Sequence, residues 1–162
     1  MKVILYDLDD SYREIIEAKC DRALSADGKY APCRGCFGCW TKHPAECFMN
    51  DKLRQACRIL GQADELVIVT KNLYGGYSAA VKNVLDRSIG TSTPFSTYRG
   101  RQMHHTLRYG KRDLMKVIVY GEITETEKDS FRELAERNAI NEGYERSEIV
   151  FLEDLAGLEG SL

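Results

Sequence analysis

The stretch Glu65-Leu-Val-Ile-Val-Thr70, followed by Lys71-Asn-Leu-Tyr-Gly-Gly76, decides the fold of this chain. Within residues 65–70, Leu66 to Val69 form a continuous apolar run, which is typical of a strand buried on both faces of a parallel sheet. Residues 71–76 supply the glycines of a tight loop after that strand. Similar apolar runs predict further strands over residues 2–7, 116–121 and 149–152, with a weaker extended segment over residues 22–31.

Four helices are predicted between these strands. Ser11 and Glu14 form a capping box for the first helix, and Thr124 and Glu127 form one for the fourth. Apolar side chains recur at helical spacing in every one of the four segments, and a glycine ends each of the last three. The segments are residues 12–20, 53–60, 81–89 and 131–139, and the three glycines are Gly61, Gly90 and Gly143.

This alternation of apolar strands and helices predicts an α/β fold, namely a doubly wound, five-stranded parallel sheet with helices on both faces. The length of 162 residues fits a single domain spanning residues 1–162. In such sheets ligands bind beyond the carboxyl ends of the strands. The loops expected at that edge are Asp7–Ser11, a cysteine-rich loop over 32–49, Lys71–Gly76, and the region after Gly121.

Composition excludes several classes of partner. Charges of both signs balance to a formal net charge of -2, which favours neither nucleic acid nor a membrane surface as a partner. No apolar run reaches the length of a transmembrane helix. The first ten residues are too short and too acidic for a signal peptide, so we expect a cytoplasmic location with reduced thiols.

The cysteine-rich loop contains Cys33-Arg34-Gly35-Cys36-Phe37-Gly38-Cys39-Trp40, and Cys47 follows. Two residues separate each of the first three thiols, so a tight loop can point them at one centre, as an iron–sulfur cluster requires. Phe37 and Trp40 indicate an aromatic wall beside a flat ligand. Three interpretations stay open for the four thiols: cluster ligands, a metal-free wall, or zinc or disulfide chemistry. The other two cysteines, Cys20 and Cys57, fall on apolar helix faces and are predicted to pack in the core.

Two motifs resemble those of one known family. The run from Thr70 to Lys82, with Asp86-Arg87-Ser-Ile-Gly90 after it, closely resembles the flavin-contacting segment of the flavodoxin-like NAD(P)H-dependent FMN reductases. Residues 32–40, with Cys47 and Asp51, resemble a second motif of that family. Its relatives, the iron–sulfur flavoproteins, bind a [4Fe-4S] cluster through four cysteines at nearly this spacing.

The resemblance implies a flavodoxin-like fold and an FMN that accepts electrons from NAD(P)H and passes them to a quinone, a flavin or another small acceptor. It also implies a homodimer. The implied cofactor-binding residues are Asn72, Leu73, Tyr74, Gly75, Gly76, Tyr77 and Ser78, with Phe37, Trp40 and Ser11. If a [4Fe-4S] cluster is present, its ligands are Cys33, Cys36, Cys39 and Cys47. The alternatives are an iron–sulfur electron carrier and a cofactor-free assembly or regulatory subunit.

The loop after the first strand departs from the family pattern. Family members carry a Ser/Arg/Asn/Thr-rich loop there, which holds the FMN phosphate at a helix N-terminus. Here the loop is Asp7-Leu8-Asp9-Asp10-Ser11, with three carboxylates and no glycine. A phosphate about 4 Å from a carboxylate is repelled by roughly 4 kcal/mol per charge pair, whereas a helix amide returns about 1–2 kcal/mol. Arg87, Arg99 and Arg101 are candidate replacement ligands for the phosphate.

Residues 91–114 are polar, aromatic and basic, and they show no steady period. This length without a predicted element is typical of a functional loop or a subunit contact. We therefore expect the Pro94–Tyr109 region, which includes His104 and His105, to contact a partner subunit.

Overall fold

Five parallel strands form the central sheet. A computed structural model describes all residues, 1–162, and contains seven strands. The sheet order is β2-β1-β3-β6-β7, and β4 and β5 pair separately as an antiparallel hairpin. The flavodoxin-like, doubly wound sheet predicted from the sequence is confirmed. The strands are β1 Lys2–Tyr6, β2 Arg22–Ser25, β3 Glu65–Lys71, β4 Ser92–Arg99, β5 Gln102–Leu107, β6 Arg112–Tyr120 and β7 Tyr144–Leu152.

Six α-helices connect the strands, and several are short. None of them combines the length and the apolar character that a membrane crossing requires. The helices are α1 Arg13–Glu17, α2 Gly38–Thr41, α3 Ala56–Gly61, α4 Ala79–Asp86, α5 Glu125–Glu142 and α6 Leu158–Ser161. Three 3-10 turns span Asp10–Tyr12, Ile89–Thr91 and Leu155–Gly157.

The two faces of the sheet are covered unequally. Helices α3, α4 and α5 bury Leu60, Val84 and Phe131 in a cluster of 20 residues on one face. The other face is covered by the much shorter α1 and α6, which bury Ile16 and Leu158 in a cluster of 8 residues. Helices therefore lie on both faces, as predicted, but most of the core lies under α3, α4 and α5.

Only one of the two predicted capping boxes forms. Thr124 and Glu127 cap α5 reciprocally, and Gly143 ends it in the left-handed conformation at φ 84°. The box predicted at Ser11 is wrong, because Ser11 donates both its N–H and its hydroxyl to the Asp9 carboxylate. Asp9 therefore caps a 3-10 turn, and α1 begins after Tyr12 without a side-chain cap.

Residues 91–114 are ordered rather than irregular, which corrects the sequence-based interpretation. They contain the β4–β5 hairpin, whose residues Tyr98 and Met103 lie opposite each other. The hairpin is anchored where glycines leave space, because a Cβ on Gly143 would lie 2.2 Å from Leu107 and one on Gly61 would lie 2.3 Å from Tyr109. The third predicted helix also ends earlier than expected, at Asp86.

Candidate functional site

One carboxylate joins three strands at the carboxyl edge of the sheet. Asp7, which follows β1, accepts the Lys71 N–H at 3.1 Å and the Tyr120 hydroxyl at 3.1 Å. Burial, together with the negative charge of Asp7, raises the pKa of Tyr120 above its ordinary value. Asp7 therefore fixes the ends of β1, β3 and β6, and it keeps negative charge at the edge where ligands of this fold bind.

The loop over residues 72–78 is held rigidly at the same edge. Asn72 donates its side-chain amide to Glu122 O at 2.8 Å and accepts the Gly75 N–H at 3.0 Å. Leu73 and Gly76 exchange backbone hydrogen bonds of 3.0 and 3.1 Å, so the loop is a closed turn. The shape of the loop is therefore set by hydrogen bonds within it and by the bond from Asn72 to Glu122 O.

Tyr74 is the most exposed large apolar side chain of the protein, at 89% of its full accessibility. Its backbone has φ 53°, a left-handed conformation that is uncommon for a residue other than glycine. The adjacent Gly75 has φ 78°, and a Cβ there would lie 3.0 Å from the Glu127 carbonyl oxygen. Gly75 is thus required both by its left-handed backbone and by the close approach of α5.

Two other residues of the predicted set turn inward. Tyr77 is only 5% exposed, because its ring packs edge-on against Phe131 and its hydroxyl accepts from Asn138 at 3.3 Å. Ser78 caps α4 by accepting the Val81 N–H at 3.3 Å. The side chain of Tyr77 is therefore directed into the core, and Ser78 is engaged by the helix that follows it.

The first loop gives no cradle for a phosphate. Asp9 already occupies the start of the 3-10 turn through its bonds to Ser11, which lower the pKa of the Asp9 carboxyl. Asp10 pairs with Arg13 at 2.9 Å, and both side chains are exposed. A dianion placed here meets two fixed carboxylates, so these residues do not fit a flavin phosphate.

The arginines considered as replacements are used elsewhere. Arg87 is buried and pairs with Asp51, and it also donates to Ala31 O at 3.1 Å. Arg99 donates to carbonyl oxygens of Ile140 and His105. Both side chains are therefore committed to holding the chain together, and only Arg101 among the three has no such bond.

Phe37 and Trp40 do form an aromatic wall, but not at the 72–78 loop. The Trp40 ring lies 4.9 Å from that of Phe37 and 4.6 Å from that of His105, centroid to centroid. Its indole N–H donates to Ile89 O at 2.7 Å, beyond the end of α4. His105 was not predicted to contact this wall, since nothing in the sequence shows how the hairpin folds back.

Helix α4 separates the two halves of the predicted flavin site. The 72–78 loop precedes its first residue, Ala79, and Ile89 follows its last turn. Eight residues of α-helix are about 12 Å long at 1.5 Å per residue. Within one chain, therefore, the wall of Phe37 and Trp40 and the exposed Tyr74 lie at opposite ends of α4.

The four thiols of the cysteine-rich loop border one small cavity of about 20 Å³, together with Phe37, Phe48 and Arg87. No three His, Cys, Asp or Glu side chains converge closely enough to hold a metal ion. The thiols as arranged therefore do not form a ligand set, and the [4Fe-4S] assignment stays a prediction. Proximity to the Cys57 thiol lowers the pKa of Cys39 to about 7, whereas the same contact and burial raise the pKa of Cys57.

Comparisons with solved structures agree with this fold. An FMN-dependent NADH-azoreductase from Bacillus anthracis, solved in complex with FMN, is 14% identical, with a TM-score of 0.57 over 99% of this chain and 92% of that chain. An NADPH-quinone reductase from P. pentosaceus is 13% identical, with a TM-score of 0.54 over 98% and 91%. A flavodoxin, WrbA-like protein from Agrobacterium tumefaciens is 12% identical, with a TM-score of 0.53 over 99% and 88%. At these identities the likeness shows the fold alone. No curated protein matches the sequence.

The sequence match identifies a family more specifically than the similarity of fold does. The family model described as NADPH-dependent FMN reductase matches residues 16–105, which is more than half of the chain. The match includes the cysteine-rich loop, strand β3, the 72–78 loop and α4. With two motifs in the order seen in that family and the flavodoxin-like sheet beneath them, the chain belongs to the NADPH-dependent FMN reductase family.

Proposed function

We propose that this protein is a flavin-dependent NAD(P)H oxidoreductase that binds the isoalloxazine ring at the 72–78 loop. The carrying observation is the closed turn at the carboxyl end of β3, which presents Tyr74 almost wholly to solvent. The backbone N–H groups of Tyr74 and Tyr77 make no hydrogen bond within the protein. A rigid turn with free amides and an exposed aromatic ring matches the edge and face of a flavin.

The 72–78 loop and the first loop differ in how they suit a bound flavin. Asn72 keeps the turn closed through Glu122 O and the Gly75 N–H, so the free amides stay oriented. The flavin supplies the chemistry when bound, since it accepts a hydride from a nicotinamide and passes electrons on. The first loop does not favour binding of the FMN phosphate, because Asp9 and Asp10 lie where the family holds that phosphate. The proposal therefore rests on contacts to the isoalloxazine ring and not on contacts to the phosphate.

A homodimer would bring the separated halves of the site together. Phe37 and Trp40 lie about one α4 length from the 72–78 loop of their own chain, roughly 12 Å. The β4–β5 hairpin presents Phe95, Tyr98 and Met103 at 72%, 74% and 65% exposure, an apolar surface that suits burial by a second copy. We propose that this hairpin contacts a partner subunit and that the aromatic wall of one protomer faces the turn of the other.

The experiment is flavin reconstitution followed by turnover. Purified protein is incubated with FMN or riboflavin, and absorbance shows whether flavin stays bound after gel filtration. Bound flavin that NADH or NADPH reduces in the absence of oxygen supports the proposal, and reoxidation by a quinone, free flavin or azo dye then identifies the acceptor class. A protein that binds no flavin contradicts it and favours the cofactor-free subunit.

Fractionation of the native cells tests the proposed cytoplasmic location.

The dimer is tested separately by sedimentation velocity at micromolar protein. The expected result is a dimer that Tyr98→Asp converts to a monomer, because a charge would be buried at the contact. Arg132→Asp, on the exposed side of α5, is the matched control and leaves the dimer intact. A wild-type monomer with and without flavin contradicts the dimer without affecting the flavin proposal.

One observation favours a second candidate, an iron–sulfur flavoprotein electron carrier. Cys33, Cys36, Cys39 and Cys47 all border the same cavity, although they do not converge on one point. Iron and acid-labile sulfide analysis of protein purified without oxygen tests this. Four irons per chain would establish the cluster, and their absence after anaerobic reconstitution with iron and sulfide would exclude it.

A further inference from the structure

We propose that Cys39 and Cys57 are a reversible thiol–disulfide pair that links the cysteine-rich loop to α3. Distances measured from Gly90 show how close the two cysteines are. A Cβ built on Gly90 would lie 2.9 Å from Cys57 Sγ and 3.1 Å from Cys39 Cβ. By the sum of these two distances, Cys57 Sγ lies within about 6 Å of Cys39 Cβ. In a disulfide the two Cβ atoms lie about 3.8 Å apart, so closure requires rotation of both side chains and an approach of the short α2 to α3.

Gly90 is the residue that permits this contact. It is buried within the 3-10 turn Ile89–Thr91, and its missing side chain leaves the space that both cysteines share. A methyl group there would also lie 3.2 Å from the Cys39 carbonyl oxygen, so it would push against backbone as well as sulfur. The pair thus depends on a glycine whose backbone conformation does not itself require one.

The two thiols differ in access, which assigns them different roles. Cys39 is half-buried, in the same loop as the exposed Cys33 and Cys36, so an oxidant in solution reaches Cys39 before it reaches the buried Cys57. Cys57 is fully buried, and its thiol donates to Arg87 O at 3.2 Å. Its place behind Cys39 makes Cys57 the resolving thiol. Cys20 lies against the opposite face of the sheet and takes no part.

The reaction needs an oxidant of the low-molecular-weight disulfide class, such as oxidised glutathione. The Cys39 thiolate attacks one sulfur of that disulfide, whose S–S bond breaks, and one small thiol leaves. Cys57 then loses its proton and attacks the Cys39 sulfur of the mixed disulfide, which releases the second small thiol. Two protein thiols are oxidised and one small disulfide is reduced to two thiols. A dithiol reductant reverses the exchange.

The link would restrain the aromatic wall. Trp40 follows Cys39 in α2, and its indole is already fixed to Ile89 O. A bond from Cys39 to α3 would add a covalent restraint to this short helix. Trp40 is the single tryptophan of the chain, so its fluorescence reports the change. Cytoplasmic disulfides of this kind are commonly transient or redox-sensing.

The test needs no flavin, so its outcome is separate from that of the proposed function. Fully reduced protein is titrated with oxidised glutathione, remaining thiols are blocked with N-ethylmaleimide, and peptides are mapped by mass spectrometry. We expect a Cys39–Cys57 peptide, four blocked thiols of the six, and a shift in Trp40 fluorescence that a dithiol reverses. A disulfide confined to Cys33, Cys36 and Cys47, or none at all, overturns the proposal.

Three variants separately test the roles of Cys57, Cys20 and Gly90 in this exchange. Cys57→Ser should stop the reaction at the Cys39–glutathione mixed disulfide, because the resolving thiol is gone. Cys20→Ser removes one thiol elsewhere and should leave the pair unchanged. Gly90→Ala should slow closure at least tenfold, and circular dichroism checks that it still folds. If Cys57→Ser yields an intramolecular disulfide at Cys39 as readily as the wild type does, Cys57 is not the partner.

Discussion

The guanidinium of Arg87, fully buried at the end of α4, is paired with the carboxylate of Asp51 in the segment before α3. Asp51 also accepts the N–H groups of Ala31 at 3.3 Å and Leu53 at 3.0 Å. Arg87 belongs to the flavin-loop motif and Asp51 to the cysteine motif, so this ion pair fixes the two motifs of the family to each other. It fastens the cysteine-rich loop at both of its ends.

Removing the Asp51 carboxylate should strongly destabilise the protein. Asp51→Ala leaves Arg87 buried without a counter-charge, which costs about 3 kcal/mol in the free energy of unfolding. Asp86→Ala removes the carboxylate of the exposed Lys82 pair and should cost less than about 1 kcal/mol. Urea unfolding of both variants at neutral pH measures the difference. Equal losses would mean that the buried pair is no more important than the surface pair.

The same pair predicts a loss of stability in acid. Partial burial opposes ionisation of Asp51, but its bonds to Arg87, Leu53 and Ala31 prevail and lower its pKa. The contribution of the Asp51 carboxylate to the free energy of unfolding is thus present above the unfolded-state pKa of about 3.9. It is lost as the pH falls through the lower pKa of the folded state. The stability gap between wild type and Asp51→Ala, measured by urea unfolding, should therefore narrow below about pH 4. A gap that stays constant down to pH 2 would contradict this.

The acidic first loop should make the protein discriminate little between FMN and riboflavin. Replacing Asp9 with Thr and Asp10 with Asn should tighten FMN about tenfold, or ~1.4 kcal/mol, because phosphate repulsion is relieved. Riboflavin, which has no phosphate, should be nearly unaffected. Fluorescence-quenching titrations with both flavins measure the two affinities. Asp129→Asn, exposed on α5, is the control and should change neither.

A strong natural preference for FMN would overturn that view of the loop. If the unaltered chain already binds FMN a hundredfold tighter than riboflavin, or about 2.7 kcal/mol, then other groups neutralise the phosphate. Arg101 is then the first residue to replace, since Arg87 and Arg99 are committed within the chain.

Tyr74 should contribute to ring binding and hardly at all to folding. Tyr74→Ala should weaken FMN and riboflavin equally, by roughly five- to thirty-fold, because an aromatic stacking surface of about 1–2 kcal/mol is lost. Tyr74→Phe should keep most of the affinity. Since the side chain is 89% exposed, the unfolding free energy should change little. A variant that binds both flavins as well as the wild type would place the ring elsewhere.

Cys39 should react with alkylating agents at a lower pH than an ordinary thiol. Its pKa is lowered to about 7, so the iodoacetamide rate should rise to half of its maximum near that pH, whereas an ordinary cysteine reaches this point near pH 8.5. Cys57→Ala removes the neighbouring thiol that lowers the pKa of Cys39 and should move the midpoint upward. Mass spectrometry of the Cys39 peptide across pH measures both profiles, and coincident midpoints would refute the contribution of Cys57.

The sequence by itself determined the features that depend on local pattern. The apolar run of Leu66 to Val69 specifies a buried strand, because burial on both faces favours apolar side chains at successive positions. The Thr124–Glu127 box and Gly143 specify the ends of α5, because each satisfies backbone groups within a few residues. The order of motifs along the chain likewise identified the family.

Only the tertiary structure decided which distant groups meet. Trp40 lies on His105 rather than beside Tyr74, because the hairpin folds back and α4 separates the two ends. Cys57 meets Cys39 across Gly90, a contact between residues far apart in the chain. No local periodicity encodes such contacts, since they depend on how strands and helices pack in three dimensions.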